Sequence, residues 1–536
     1  MSASPESGHS FVPLPRSQRE LLTNSRSTGP INPEELATIT IRTRAKAPAG
    51  DLEKFVDALY AKPLADRTYL TRAELAAQYG AHSDDLDAVE HYAQRHNLVV
   101  VHRSAAERAV SVRGRLGDLL HAFRANVRMY DHATGTYRGR QGEIHVPKAL
   151  DGVITGIHGY DTRRKHRLPH RIRTHASGPG GQNGVAATEF ATRYNFPTDN
   201  GSGAALDGTG QCVAIVELGG GFNNGDLDAF FSAVKVERPD VVAVSVDRAK
   251  NGAQPNDADG EVMLDIEVAG AVVPKAKFAV YFGPNQGAGF LDVLSAAVHD
   301  SERNPSVISV SWGGPEEASE IQSFRDVFLA AAAIGVTVCV ASGDHGTADL
   351  DGGSWDQKIH VDHPAVDPYV LGCGGTQIDA HGVDVAWNDG TPFSDAPDGG
   401  GWATGGGISE IIPVPAYQVH AEAPVSLVTG KPGRAVPDIA MSATNYYTRV
   451  DGSEGASGGT SAVAPLMAGL VARLNQAKAK PVGFLNPFLY NNVSKGVVHR
   501  VTSGSNAIEG STKGYSAGMG CTGLGIPDGK AILSNL

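Results

Sequence analysis

The 536-residue chain has only four cysteines, Cys212, Cys339, Cys373 and Cys521, and no two are close in sequence. That scarcity excludes a disulfide-framed small fold and a zinc ribbon. Long apolar runs are also missing. The uncharged stretch between Asp326 and Asp344 has 17 residues and is broken by Gly335. A membrane helix needs roughly 18–20 apolar residues, so no membrane span is expected. The opening Met1-Ser-Ala-Ser-Pro-Glu-Ser-Gly-His9 has neither a basic n-region nor an apolar h-region, and no ordinary signal peptide is visible. What is there is globular: 41% apolar and 19% charged residues exclude a disordered chain and a coiled coil. At roughly 150 residues per domain, the length predicts two to four domains.

Charge divides the chain. Residues 1–180 carry 26 Lys+Arg against 19 Asp+Glu, a net +7, and twelve of the 19 histidines; the remainder is −19. A basic, His-rich segment on an acidic body raises nucleic-acid binding, which needs a reading motif. The dense cluster is Arg163-Arg164-Lys165-His166-Arg167 with Arg171 and Arg173, just ahead of the loop Ser177-Gly-Pro-Gly-Gly-Gln-Asn-Gly184. The other explanation is docking of the basic part on the acidic part. Acid weakens such docking, because His gains charge and carboxylates lose theirs.

Residues 1–33 read as irregular. An alternating strand at 37–44 follows, then helices at 52–60, 72–79 and 84–95, strands at 98–102 and 109–113, a helix at 116–123 and a strand at 127–130. This order predicts a ferredoxin-like α+β sandwich. The Gly/Pro loop at 177–184 is the predicted boundary. Beyond it come apolar strands at 212–218, 241–246, 278–282, 307–311, 336–341 and 369–372. Helices at 226–236, 261–272, 290–300 and 320–333 alternate with them. That predicts a doubly wound, mainly parallel α/β sheet with strands buried on both faces and sites at their carboxyl ends.

Three places carry residues suited to chemistry. Gly458-Gly-Thr-Ser-Ala-Val-Ala-Pro465 precedes an apolar helix. A Ser at a glycine-flanked helix start is poised for nucleophilic attack, and the helix dipole favours a developing oxyanion. The plainer use is an N-cap at Thr460 or Ser461. Glu261-Val-Met-Leu-Asp265 sets two carboxylates at i and i+4 on one helix face. Like charges that close raise one pKa, so one group holds a proton while the other accepts one. The plainer use is a solvated helix face. Asp344, in Ala341-Ser-Gly-Asp-His345, ends a buried strand, where a protonated carboxyl donates to an oxyanion or forms a simple Asx turn. His345 is a weaker candidate base, and His360-Val-Asp-His363 fits no standard metal spacing.

In combination these motifs resemble the sedolisins, the serine-carboxyl peptidases, of the kumamolisin type. The matching runs are Ile215–Gly221, Asp259–Gly270, Ser309–Glu316, Ala341–Asp344, Cys373–Thr376, Gly458–Pro465 and Cys521–Gly525, in the family's chain order. The resemblance spans nearly all of 188–536, and the N-terminal part looks like the family's prodomain. It implies a subtilisin-like fold, with residues 1–176 as prodomain, 177–187 as activation linker and 188–536 as peptidase. It implies Ser461 as nucleophile, Glu261 as general base, Asp265 orienting Glu261, and Asp344 with the Ser461 N–H as oxyanion donors. Trp312 and Glu217 resemble the family's supporting residues. A carboxylate base has a reference pKa near ~4.3 and works where His is protonated, so an acid optimum follows. Gly313 and Gly314, with Gly406 and Gly407, offer bare backbone to an extended peptide. Asp362 resembles an acid lining the S1 pocket.

The sequence departs from the family at its calcium site. Where the family has carboxylates, this chain reads His499-Arg500-Val501 and Ala517-Gly-Met-Gly-Cys-Thr522. Calcium wants several anionic or carbonyl oxygens, so no metal or other cofactor is expected. A sharper expectation puts the Arg500 guanidinium at the ion's place, bonding carbonyls around Gly518 and Gly520. The expected partners are peptide or protein substrates and the chain's own prodomain, with no nucleic acid, no membrane, and a monomeric state. Secretion is implied by the resemblance alone. Two other classes stay open: a Ser/His/Asp hydrolase, and a catalytically silent scaffold whose prodomain never leaves.

Overall fold

The computed structural model describes residues 10–133, 135–164, 171–173 (backbone), 184–201, 203–252, 255–256, 258–350, 355–392, 400–510 and 513–536. In the N-terminal part, strands β1 (Leu36–Thr43), β2 (Val99–Ser104), β3 (Ala109–Arg115) and β4 (Ile154–His158) pair in the order β2-β3-β1-β4. All these pairings are antiparallel. Between β1 and β2 lie helices α1 (Asp51–Tyr60), α2 (Arg72–Tyr79) and α3 (Ser83–Arg95); α4 (Leu116–Phe123) follows β3. Helices α3 and α4 cover one face of the sheet through Leu86, Val89 and Leu119 against Ile39, Ile41, Val110 and Val112. This is the predicted split-βαβ sandwich, with α1 and α2 as an insertion. A capping box between Thr71 and Glu74 sets the start of α2.

The irregular segment expected at 1–33 is corrected where it is described. Phe11–Pro13 pairs with His145–Pro147, and Arg26–Gly29 pairs with Asn126–His132. Leu14 fills the prodomain core, and Arg19 is 8% exposed. The Ser/Pro/Asn composition hid this because two short strand segments carry too few alternating residues to register.

The second part is a mostly parallel sheet. It comprises β5 (Cys212–Glu217), β6 (Asp240–Ser245), β7 (Lys277–Phe282), β8 (Val307–Val310), β9 (Thr337–Ala341), β10 (Leu371–Ile378) and β11 (Ile439–Ser442). The order is β6-β7-β5-β8-β9-β10, with β11 beside β10 and an antiparallel edge at Asp384–Ala386. Helices α7 (Asp259–Val272) and α10 (Thr460–Lys478) cover one face. Helices α8 (Gly289–His299) and α9 (Ala318–Ala333) cover the other. The α5 (Ala187–Arg193) and α6 (Asn224–Ala233) helices pack on the first face. The strands are buried on both faces over most of their length except β6, where Val242 is 43% exposed: it is the sheet edge and has one neighbour. Val185 bridges to Tyr446, and α5 starts at Ala187.

The basic part docks on the acidic part through named ion pairs. Arg19 meets Glu317 at 2.9 Å, Arg108 meets Asp326 at 2.6 Å and Arg163 meets Glu317 at 2.6 Å. Apolar and backbone contacts add to them, as where Tyr60 Oη donates to the Ala332 carbonyl at 2.8 Å. The segment Arg171–Arg173 adds an antiparallel strand to β13 (Ser453–Gly458), which is itself paired with β12 (Tyr446–Val450). The boundary loop beyond it, 174–183, lies outside the described residues. Among the described residues no helix is long and apolar enough to cross a membrane.

Candidate active site

Strands β5, β8 and β9 are neighbours in the sheet, so their carboxyl ends bring Glu217, Ser311–Trp312 and Asp344 side by side. Helix α10 packs against this row and starts at Thr460, so Ser461 sits in its first turn. Gly459 is the N-cap, at φ 123, a backbone that favours glycine, and no side chain caps the helix. Thr460 and Ser461 therefore do not serve as caps. The Thr460 N–H donates to Asp344 Oδ1 at 2.7 Å, and its hydroxyl reaches the same oxygen at 2.8 Å. The Gly343 N–H donates back to Thr460 Oγ1 at 3.1 Å.

Helix α7 is not a solvated face. All fourteen of its residues are buried, Glu261 and Asp265 at 0% exposure. Ser311 Oγ donates to Asp265, 2.8 and 3.0 Å from the two carboxylate oxygens, and lies 3.3 Å from the Ser461 carbonyl. Trp312 Nε1 donates to Glu217 Oε2 at 2.9 Å. Burial raises the Glu217 pKa, and the nearby Glu261 adds to it. Asp265 is raised by burial, then by Glu261 and Glu217. Asp344 is raised by burial and by Glu261 and Asp362, against the Thr460 hydrogen bonds that lower it. Its Oδ2 is buried without a hydrogen-bond partner among the described residues. Burial and the neighbouring acids together push all three carboxyls above the ordinary carboxylate range.

The glycine segments are tight. Gly314–Pro315 pairs with Asp362–His363, and Gly407–Ile408 pairs with Ala435–Val436. A Cβ on Gly406 would lie 2.7 Å from the Val436 carbonyl oxygen. Asp362 is 3% exposed, directly behind Gly313. The histidines are committed elsewhere. His345 Nδ1 lies 3.3 Å from the Gly401 carbonyl and its ring packs on Trp402. His360 pairs with Asp356 at 2.8 Å, and His363 meets Phe324 edge to face. Among the described residues no group of three potential ligands surrounds a metal position. Sequence reasoning missed Ser311 and Thr460, although both lie inside the quoted runs; a hydroxyl flanking a catalytic residue was the available signal.

The description "Pro-kumamolisin, activation domain" matches residues 23–163, and "Subtilase family" matches 250–510. Kumamolisin of Bacillus sp. (strain MN-32) is 41% identical over 531 residues, covering 95% of this chain and 93% of that protein. The chain belongs to the sedolisin family of serine-carboxyl peptidases. Another member, tripeptidyl-peptidase sed5 of Aspergillus fumigatus, is 27% identical over 98% of this chain and 97% of its own. The solved structure of Pseudomonas sedolisin, complexed with two molecules of pseudo-iodotyrostatin, aligns with a TM-score of 0.54 at 27% identity. That alignment covers 66% of this chain and 98% of that one. As a sedolisin, the chain is a serine peptidase carrying its own prodomain.

The Arg500 expectation fails. Its side chain is 67% exposed, and among the described residues its ion-pair partner is Glu422, at 3.6 Å. The loop carbonyls need no guanidinium, because protein donors already reach them. The Gly518 oxygen accepts from the N–H groups of Cys521, Thr522 and Gly523 at 2.8–3.1 Å. The Gly520 oxygen accepts from Asn506 Nδ2 at 3.3 Å. A carbonyl turned into three N–H groups and a loop without carboxylates do not fit a calcium ion.

Proposed function

We propose that this sedolisin is an acid-acting endopeptidase made as a self-processing zymogen. Ser461 Oγ attacks the peptide carbonyl while Glu261 takes its proton, and Glu261 returns that proton to the leaving amine. Asp265 orients Glu261 and tunes it. Protonated Asp344 and the Ser461 N–H donate to the oxyanion. Water then repeats the sequence on the acyl-enzyme. The observation that carries this reading is the raised Asp344 carboxyl beside the helix start bearing Ser461, with its second oxygen unpartnered among the described residues. Asp344 must be protonated to donate, so activity is lost as pH rises through its raised pKa. Export to an acidic exterior suits such an enzyme. The bare backbone of Gly313, Gly314, Gly406 and Gly407 lines the peptide cleft, and Asp362 faces the P1 side chain.

The register of Arg171–Arg173 supports a linker held in the cleft. Arg171 lies opposite Gly458, three residues before Ser461, and Arg173 lies opposite Ala456. The chain thus moves away from Ser461 as it proceeds. We therefore expect the first cut ahead of Arg171, with trimming toward 184 afterwards.

The test is acid incubation of the full-length chain and its Ser461→Ala variant, followed by mass and by hydrolysis of a quenched, N-acetylated peptide. Cleavage and hydrolysis by the wild type alone support the reading. A wild type that cuts only peptides with a free N-terminus is an exopeptidase, like the tripeptidyl-peptidases among its relatives. An unchanged wild type supports the silent scaffold.

A further inference from the structure

Asp362 does not stand alone behind Gly313. A Cβ on Gly313 would run into both of its carboxylate oxygens, so the acid lies directly against the cleft backbone. Asp349, which closes the short turn Gly346–Ala348 five residues after Asp344, is hydrogen-bonded to Asp362. A Cβ on Gly343 would lie 2.6 Å from Asp349 Oδ1 and 3.7 Å from Asp362 Oδ2. Two acids from different loops therefore converge beneath the glycines that flank the cleft. Asp362 is 3% exposed and Asp349 9%.

Two carboxyl groups that share a hydrogen bond need a proton between them, since acceptors cannot donate to each other. Among the described residues, the titratable group facing them is another acid, Asp344, from the end of β9. The backbone N–H of Ala365 donates to Asp362. The neighbouring histidines are turned away: His345 to Gly401 and Trp402, His360 to Asp356, His363 to Phe324.

We propose that Asp349 is a specificity-determining positioning residue: with Asp362 it forms a one-proton carboxyl pair at the base of the P1 subsite, and the pair sets the preference for a basic P1 side chain. The inference rests on the reading of Asp362 as P1-facing. The pair passes from neutral to one negative charge to two as pH rises, so preference for lysine over a neutral isostere climbs in two steps. Burial holds Asp362 above the ordinary carboxylate range, which separates the second step from the first.

The test uses the acid-matured enzyme and two product peptides identical except for a C-terminal lysine or norleucine. Their affinities are measured from about pH 3 to about pH 9, across the titration range of buried carboxyls. Dividing one affinity by the other removes titrations that act on the shared backbone. The wild-type ratio is expected to rise in two steps of roughly tenfold each. Asp349→Asn leaves one step, and Asp362→Asn flattens the ratio. If Asp362→Asn keeps the wild-type ratio, the P1 reading itself falls, and the pair with it. If Asp362→Asn flattens the ratio while the wild type shows one step, or Asp349→Asn still shows two, the P1 reading stands and the shared proton is overturned. The wild-type profile decides the matter even if the Asp349 variant does not mature.

Discussion

Replacing Thr460 by valine tests the proposed oxyanion arrangement with almost no change of shape. The hydroxyl lies 2.8 Å from Asp344 Oδ1 and also accepts the Gly343 N–H at 3.1 Å. A donor to a carboxylate stabilises the ionised form, so this contact lowers the Asp344 pKa against the burial that raises it. A hydrogen bond to a charged group is worth about 1.5–3 kcal/mol, equivalent to ~1–2 pKa units. Valine therefore raises Asp344 further and keeps it protonated to higher pH. The alkaline limb of the kcat/KM profile is expected to move up by ~1 unit or more. The stranded Gly343 N–H costs about 1–3 kcal/mol of stability, read from a denaturant midpoint. Thr460→Ser keeps the hydroxyl and should retain the wild-type limb. An alkaline limb that stays put or moves down in the valine variant would refute Asp344 as the protonated donor.

Ser311→Ala removes the donor to Asp265; kcat is expected to fall roughly tenfold with KM little changed, and an unchanged kcat means Asp265 is held without it. Glu217, Asp265, Glu267 and Asp344 are all raised in the fold, and Asp259 is pushed up to about 6. Groups raised in the folded state contribute stability that is full below their unfolded pKa, near ~4, and is lost as pH rises through the folded value. The melting temperature of the Ser461→Ala chain should therefore fall from about pH 4 to about pH 8, and a rise across that window contradicts the assignment. Arg434 and Asp438 are a fully buried ion pair at 2.6 Å; Arg434→Met strands the acid and should cost about 3–5 kcal/mol by chemical denaturation. Calorimetric melting with added calcium and with chelator should coincide; a large shift would mean that an ion binds despite the altered loop.

Much of this protein is legible in its residues because the chemistry is local. Glu261 and Asp265 share a face by helical spacing alone, and Gly459 marks the start of α10 by its backbone freedom. The parallel sheet announces itself through short apolar runs alternating with helical stretches, and the ferredoxin-like part through its order of elements. The charge asymmetry between the two parts forecast their docking, and Arg19, Arg108 and Arg163 carry it out.

What the tertiary structure alone decided is which groups meet. Sequence spacing cannot tell a buried helix face from a solvated one; α7 is buried because sheet, α10 and β12 enclose it. Nor does it announce that Ser311 serves Asp265 across 46 residues, that Thr460 serves Asp344 across 116, or that Asp349 meets Asp362. Arg500 illustrates the limit from the other side. Lost carboxylates are visible in the sequence, but whether an arginine replaces the ion depends on where the loop carbonyls point, and here they turn to backbone N–H groups and Asn506. Periodicity and motif order are written along the chain. Burial, proton sharing and the orientation of carbonyls arise only when distant segments exclude water from the same place.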